Sequence, residues 1–290
     1  MTQRPLSLQS NDNTLFCTEM CNNRCIMCCQ PPSNANDIDF YLKENIKRIQ
    51  TAPKDLPFIC LTGGEPTLLK YKLCFLIKEI RKNLPSTNII LLTNARLFSS
   101  PSLARAISHS GEENLFVETE LHSDYYSDHD LIAGSINSFH ETIKGIYNLA
   151  INNIPVTIRI IVCRQNYERL INLAEFIHKN LPFVSRVVFM GMECTGYAYF
   201  NYKDIWVEPF QYQTNLEEAV IFLSSWNYDV NIYNIPLCLL TPKLYQYSRK
   251  SISDWKQYHP TICKNCVLRS NCCGLFATSK VPFTNLKPVL

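Results

Sequence analysis

The stretch Cys21-Asn22-Asn23-Arg24-Cys25-Ile26-Met27-Cys28 directly follows a short apolar segment, Thr14–Thr18. Its C-x3-C-x2-C spacing puts three thiolates on one loop. Three thiolates hold three irons of a 4Fe-4S cube and leave the fourth iron without a protein ligand. A cluster that only carries electrons normally has four protein ligands, whereas an iron with an open position binds and activates a small molecule. A zinc knuckle or a set of reduced structural thiols is the competing assignment. A second motif, Leu61-Thr62-Gly63-Gly64-Glu65-Pro66, follows the next apolar run and weighs against that simpler account. Its glycine pair lets the backbone approach a ligand without interference from a Cβ, and Glu65 supplies a carboxylate for an ammonium group.

Outward from these motifs, short β-rich runs alternate with longer helical patterns. Strands are expected at Thr14–Thr18, Pro57–Thr62, Asn88–Thr93, Leu115–Leu121, Pro155–Val162 and Arg186–Met190. Their near-continuous Ile, Leu, Val and Phe content suits strands covered on both faces. Helical spacing of apolar residues marks Asp39–Gln50, Lys70–Asn83, Ser102–Ser108, Ser138–Ile151, Glu168–Lys179 and Leu216–Trp226. Such alternation predicts parallel β/α units. In parallel barrels the chemistry sits at the C-terminal ends of strands, and the candidate residues fall there. The first cysteines follow strand one, Gly63–Pro66 strand two and Thr93-Asn94 end strand three. His122-Ser123 follow strand four, Arg159 lies in strand five, and Gly191-Met192 follow strand six. After about residue 228 Pro, Cys and Tyr become frequent, so residues 1–228 are expected to form the core and 229–290 a small C-terminal domain.

Composition narrows the class. A net charge of +3 argues for neither a nucleic-acid footprint nor a membrane surface. No stretch approaches the roughly 18 apolar residues of a spanning helix, and the opening Met1-Thr-Gln-Arg-Pro-Leu-Ser lacks a signal-peptide pattern. Fourteen cysteines without an export signal point to a reducing compartment, the cytoplasm. Only about sixteen residues precede Cys17, too few for a separate leader-binding module.

Together the two motifs resemble those of the radical S-adenosylmethionine (SAM) enzymes. The resemblance implies a partial (β/α)6 barrel, a 4Fe-4S cluster held by Cys21, Cys25 and Cys28, and SAM on its open iron. It implies that Gly63, Gly64, Glu65 and Pro66 hold the SAM amino group and that the backbone of Met27 lies near the adenine. Thr93 and Asn94 would approach the ribose or methionine; a turn or helix cap is their ordinary role. Ser123 is a further candidate for the ribose or carboxylate, and Met192 for a SAM contact. Arg159 sits in the apolar strand Val156-Thr-Ile-Arg159-Ile-Ile-Val, where a charge is seldom buried without a partner. The family pairs an arginine at a comparable place with the SAM carboxylate, a bidentate task for guanidinium; an ion pair to Glu118 or Glu120 is the alternative. The first step needs no side-chain acid or base, so none is assigned.

Near the C-terminus, Cys263-Lys-Asn-Cys266-Val-Leu-Arg-Ser-Asn-Cys272-Cys273-Gly274 contains C-x2-C-x5-C. The spacing resembles part of the SPASM motif of peptide-maturing radical SAM enzymes, although no cysteine follows Cys273. With Cys238 upstream, Cys263, Cys266 and Cys272 make a set of four, implying a shortened, twitch-like domain with one auxiliary cluster. Zinc suits four thiolates as well, and Cys273 is an alternative to Cys272. Cys60, Cys74 and Cys163 read as packed thiols, and so do Cys17, Cys29 and Cys194, although these are expected near the mouth, where an extra donor is the alternative. Phrases such as Leu121-His-Ser-Asp124, His129-Asp130, Phe189-Met-Gly-Met-Glu193-Cys-Thr-Gly196 and Asn234-Ile-Pro-Leu-Cys238 resemble the His-Xaa-Ser system radical SAM maturases of the HxsC type. That likeness implies modification of a small precursor peptide with His-Xaa-Ser repeats, a second radical SAM maturase, and an electron donor such as flavodoxin or ferredoxin. His129, Asp130 and Glu193 are then candidates for substrate contact, with helix capping equally apt for Asp130. The other functions open at this point are a radical SAM enzyme acting on RNA or a small metabolite, and a metal-binding scaffold in a maturation complex. The absence of a basic tract counts against RNA.

Overall fold

A computed structural model describes residues 4–290; Met1 to Gln3, where the chain-start reading began, lie outside the described residues. The elements run β1 (Thr14–Phe16), α1 (Ile38–Gln50), β2 (Phe58–Thr62), α2 (Tyr71–Asn83), β3 (Asn88–Thr93), α3 (Pro101–Gly111), β4 (Leu115–Glu120), α4 (Tyr126–Ala133) and α5 (Ser138–Ile151). They continue with β5 (Val156–Ile161), α6 (Leu170–Asn180), β6 (Arg186–Met190), α7 (Gly196–Phe200), α8 (Tyr202–Ile205), α9 (Pro209–Ser225), β7 (Asp229–Tyr233), β8 (Gln257–Tyr258) and β9 (Leu275–Phe276). Strands β1 to β7 follow one another in chain order in a single sheet, and the registered pairs β1–β2, β2–β3, β3–β4 and β6–β7 are parallel. This is the strand order of the expected α/β fold, a TIM-like partial barrel. Among the described residues no helix is long and apolar enough to cross a membrane.

The chain divides into two compact units, one holding residues up to Arg24, Pro31–Glu120 and Ser135–Thr157, the other Cys25–Gln30, Leu121–Gly134 and Ile158–Leu290. In the first unit, α1 buries Tyr41, Asn45 and Ile49, spaced four apart on one face. Asn45 is buried because it serves the sheet: its Nδ2 donates to the Phe16 carbonyl at 2.8 Å, satisfying the C-terminal edge of β1. Asp37, at the N-cap of α1, makes no side-chain bond to its own helix. Its carboxylate instead accepts from Thr18 Oγ1 at 2.5 Å and the Glu19 amide at 2.8 Å, fixing the segment between β1 and Cys21.

In the second unit, α9 starts with a capping box between Glu208 and Gln211 and has proline at its first position. It buries Tyr212, Leu216, Ala219, Val220 and Leu223, and α6, with Leu173, Ala174 and Ile177 buried, packs against it. The sequence marks six strands; the sheet carries a seventh, β7, registered from Arg186 opposite Asp229 to Met190 opposite Tyr233. Its Asp-Val-Asn-Ile-Tyr has a polar residue, Asn231, buried in it, with Nδ2 on Asp229 at 2.9 Å. That interruption hides the strand from an apolar count. Helix α4 escapes for a related reason: its eight residues bury only His129, Ile132 and Ala133.

Candidate active site

Within the cysteine motif, Cys21–Arg24 belong to the first unit and Cys25–Cys28 to the second. In the first unit β2 ends at Thr62 and the chain turns back along the segment that leads to Cys21. The Gly64 amide donates to the Thr18 carbonyl and the Glu65 amide to the Met20 carbonyl, both at 2.7 Å. A Cβ on Gly63, whose φ is +145°, would stand 2.4 Å from the Thr18 oxygen, and one on Gly64 would stand 2.1 Å from the Met20 oxygen. The glycine pair therefore makes room for neighbouring backbone.

Glu65 is 1% exposed and its carboxylate is held by four donors. Oε1 accepts from the Thr67 amide at 2.9 Å, Thr67 Oγ1 at 2.5 Å and Thr93 Oγ1 at 2.6 Å, and Oε2 from the Asn94 amide at 2.7 Å. It caps the 3-10 turn Pro66–Leu69, whose first residue, Pro66, has no amide to satisfy. Burial pushes the Glu65 carboxyl up, against the hydrogen bonds from Thr67, Thr93 and Asn94. Thr93 and Asn94 thus tie the end of β3 to the end of β2. Asn94 Nδ2 also donates to Asn22 Oδ1 at 2.7 Å and points at Cys21 Sγ at 3.9 Å, and the Asn23 amide donates to the same sulfur at 3.3 Å. Burial and the Glu65 carboxylate hold the Cys21 thiol up at about 11, so ligation must displace its proton. Arg96, which the sequence reading passed over, clasps the same loop: Nη1 donates to Asn22 O at 2.6 Å, Asn23 Oδ1 at 2.7 Å and Ser135 Oγ at 2.7 Å, while Nε pairs with Glu141 at 2.6 Å.

In the second unit Met27 is buried, and the surrounding backbone is gripped from two sides. The Ile26 amide donates to the Ile132 carbonyl of α4 at 2.9 Å, and the Tyr197 amide of α7 donates to the Cys28 carbonyl at 2.8 Å. Thr195 Oγ1 bonds the Cys29 carbonyl and Asn201 Nδ2 the Ile26 carbonyl, each at 2.9 Å. Ser123 is buried after β4, its Oγ accepting the Tyr125 amide at 3.1 Å. Arg159 is half-buried at the fourth position of β5, with Nε 3.2 Å from Met190 Sδ. Met192 lines an apolar crevice with Trp206, Asn234, Leu275 and Phe283. Asp130 lies inside α4, whose own caps are Tyr125 and Gly134. Glu193 is already engaged, with Lys256 Nζ at 2.8 Å and Thr278 Oγ1 at 2.5 Å.

Next to Ser123, His122 and His129 are both buried, their rings 5.1 Å apart, and the His122 amide donates to His129 Nδ1 at 3.2 Å. Burial, with His129 alongside, holds His122 well below the ordinary value of 6.5. As the pH falls through that value the unfolded chain takes up a proton that the folded chain refuses. The contribution of His122 to stability is therefore complete above 6.5 and is lost as the pH falls further. His122→Phe is expected to flatten the loss of urea midpoint between about pH 7.5 and about pH 5.5; an unaltered slope would mean that other groups set the acid response.

The C-terminal cysteines are brought together as the spacing suggests: Cys238, Cys263, Cys266 and Cys272 line one pocket. Backbone amides point at their sulfurs, Val289 at Cys266, and both Leu237 and Gly274 at Cys272, each at 3.4 Å. Burial pushes the Cys238 thiol up, against a lowering effect of the Lys287 backbone. Cys272 and its neighbour are set apart by environment. Cys273, whose Sγ donates to the Gly274 carbonyl at 3.4 Å, is fully buried and packs with Ile252 and Phe276, and the adjoining Cys272 thiol and burial push its own thiol well up. Cys272 is pulled down to about 5 by the adjoining Cys273 thiol and by the Gly274 and Leu237 amides. Cys17 and Cys194 are buried, on the Leu15 and Ala198 carbonyls respectively, whereas Cys29 is exposed.

A family description, the radical SAM superfamily, matches residues 15–177, more than half of the chain. The chain belongs to the radical SAM superfamily. Membership implies a 4Fe-4S cluster and SAM, and the donors fit: three cysteines on one loop, one of them already receiving N–H groups of the kind that tune cluster sulfurs. Solved radical SAM folds are similar. Streptococcus suis SuiB bound to S-adenosylmethionine shares 17% identity over 76% of this chain and 49% of SuiB, with a TM-score of 0.59. Native anSMEcpe with bound AdoMet and the Kp18Cys peptide shares 19% over 76% of this chain and 62% of that one, TM-score 0.57. Escherichia coli coproporphyrinogen III oxidase HemN, a radical SAM enzyme, shares 14% over 77% and 53%, TM-score 0.58. The chain spans about half the length of SuiB. No curated protein matches.

Proposed function

We propose that this radical SAM protein is a peptide maturase that modifies a small precursor peptide carrying His-Xaa-Ser repeats, together with a second radical SAM maturase and fed by flavodoxin or ferredoxin. The observation that carries the peptide reading is the pocket lined by Cys238, Cys263, Cys266 and Cys272, with amides aimed at its sulfurs. Such a set, in residues 229–290, suits an auxiliary 4Fe-4S cluster. SuiB has been solved with its precursor peptide SuiA and anSMEcpe with peptides, which supports a peptide substrate.

Bound together, the reduced cluster and SAM supply a 5′-deoxyadenosyl radical that removes a hydrogen atom from the substrate. In this reading Cys21, Cys25 and Cys28 hold the irons. Glu65, fixed by Thr67, Thr93 and Asn94, keeps a carboxylate edge at the end of β2 for the SAM ammonium, with Gly63, Gly64 and Pro66 shaping the turn. Arg159 offers its fork to the SAM carboxylate, and Met27, Ser123 and Met192 contribute backbone, hydroxyl and thioether contacts.

Coexpression tests the proposal. The peptide is produced with this chain, with the second maturase, and with both, then weighed by mass spectrometry; modification is expected only when both are present. No mass change in any combination would overturn peptide maturation, and full modification by this chain alone would remove the partner requirement. Anaerobic reconstitution is expected to give about eight irons and matching sulfide per chain; zinc without sulfide would overturn the auxiliary cluster.

A further inference from the structure

Residues 193–201, between β6 and α8, are hydrogen-bonded to the cluster loop at one end and to the cysteine-rich segment at the other. Toward the loop, Thr195 Oγ1, the Tyr197 amide and Asn201 Nδ2 hold the carbonyls of Cys29, Cys28 and Ile26 at 2.9, 2.8 and 2.9 Å. Three successive donors thus fix three of the four residues from Ile26 to Cys29. Toward the cysteine-rich segment, Glu193 takes Lys256 Nζ at 2.8 Å on one oxygen and Thr278 Oγ1 at 2.5 Å on the other. The Cys194 amide donates to Ser279 Oγ at 3.1 Å, and the Lys280 amide to the Cys194 carbonyl at 2.8 Å. The chain of contacts continues inward: the Ala277 amide donates to the Lys256 carbonyl at 2.7 Å, and Gln257 Nε2 to the Cys273 carbonyl at 2.7 Å, one residue from Cys272.

The ionic end is out of keeping with a purely adhesive contact. Glu193 and Lys256 side chains are only 13% and 21% exposed, and Lys256 Nζ sits 5.3 Å from the ring centres of both Trp255 and Phe276. Hydrophobic residues of similar volume stabilise such a place as well or better, and buried pairs are best attested where they fix a register. Here the register is that of Cys194 against Ser279 and Lys280.

We propose that residues 193–201 are a positioning strap through which the cysteine-rich segment sets the backbone of the Cys25–Cys28 half of the cluster loop, with Glu193 and Lys256 as its positioning residues. The role rests on Cys28 being an iron ligand, as proposed above, but not on the identity of the substrate. No atom of the strap needs to touch SAM or peptide. Its effect is to hold the Cys28 carbonyl, and hence the Cys28 side chain, in one place.

Hydrogen exchange and electron paramagnetic resonance on the reconstituted full chain test it. In Lys256→Met the Tyr197 amide, more than fifty residues away in sequence, is expected to exchange about tenfold faster, as loss of a charged hydrogen bond allows. The spectrum of the reduced Cys21/Cys25/Cys28 cluster in the presence of SAM is expected to shift. Glu193→Gln keeps an oxygen for Thr278 and should give a smaller change of the same kind; the double exchange Glu193→Lys with Lys256→Glu should restore both signals. Thr195→Val cuts the other end and should move the spectrum while leaving exchange at Lys280 unchanged. Faster exchange confined to residues 277–280, with Tyr197 and the spectrum unmoved, would reduce the contact to local packing and overturn the strap. Should Lys256→Met fail to fold, the Glu193→Gln and Thr195→Val results decide on the same criteria. Failure of the peptide reading would show separately, as an unmodified peptide alongside the predicted exchange pattern.

Discussion

Alanine at Cys21, Cys25 and Cys28 together is expected to end reductive SAM cleavage while leaving the fold and the C-terminal iron in place. Reconstituted triple variant should retain about four of the eight irons expected from two cubes and release no 5′-deoxyadenosine above background with dithionite and SAM. The separation follows from where the sulfur donors come from. Cys21 takes N–H groups from Asn23 and Asn94, whereas the C-terminal set takes them from Leu237, Gly274 and Val289. None of these named donors serves both sets. Persistent 5′-deoxyadenosine would move the SAM-cleaving site elsewhere, and loss of all iron would show that the C-terminal cysteines hold none.

Gly64→Ala is expected to have nearly as large an effect on activity through a single methyl group. The added Cβ would lie 2.1 Å from the Met20 carbonyl oxygen and 2.9 Å from that of Glu19. Both are backbone, so the neighbour cannot turn aside by changing a rotamer. Overpacking of this sort costs about 1–3 kcal/mol, and the segment forced to move is the one entering Cys21 at the next residue. The Glu65 amide would also be pulled from the Met20 carbonyl, which it meets at 2.7 Å, and with it the carboxylate on which Thr67, Thr93 and Asn94 converge. Iron incorporation and SAM affinity, measured by iron analysis and equilibrium binding, should therefore fall far more than the melting temperature. A Gly64→Ala protein that took up iron and bound SAM normally would show the two turns to be independent.

Much of this architecture is written in local pattern. Apolar runs mark β2, β3 and β6 to within a residue, and α1, α2 and α5 follow from their helical spacing, because each buries one continuous face. What escaped depends on contacts between residues distant in sequence. Nothing in Thr93-Asn-Ala-Arg96-Leu-Phe distinguishes Arg96 from a surface arginine, yet it holds Asn22 and Asn23 across more than seventy residues. Asp37 looks like an ordinary helix cap and spends its carboxylate on Thr18 and Glu19. Spacing picks Cys272 with Cys273 as the alternative; their surroundings, an amide-rich pocket against an apolar cluster, are not visible in it. For Gly63 and Gly64 the residue type was legible, while the crossing backbone at Thr18 and Met20 is a further demand on it that no local pattern shows.

The amide that meets Cys266 comes from Val289, and this has a bearing on biosynthesis. A growing chain has all of the clasp around Cys21 once Glu141 has been translated, the grip on Ile26 and Cys28 once Asn201 has been, and the C-terminal thiol pocket only after Val289. On the proposed reading of that pocket as an iron site, its sulfurs would meet their full set of amides only after the residues that shape the loop at Cys21 had been made.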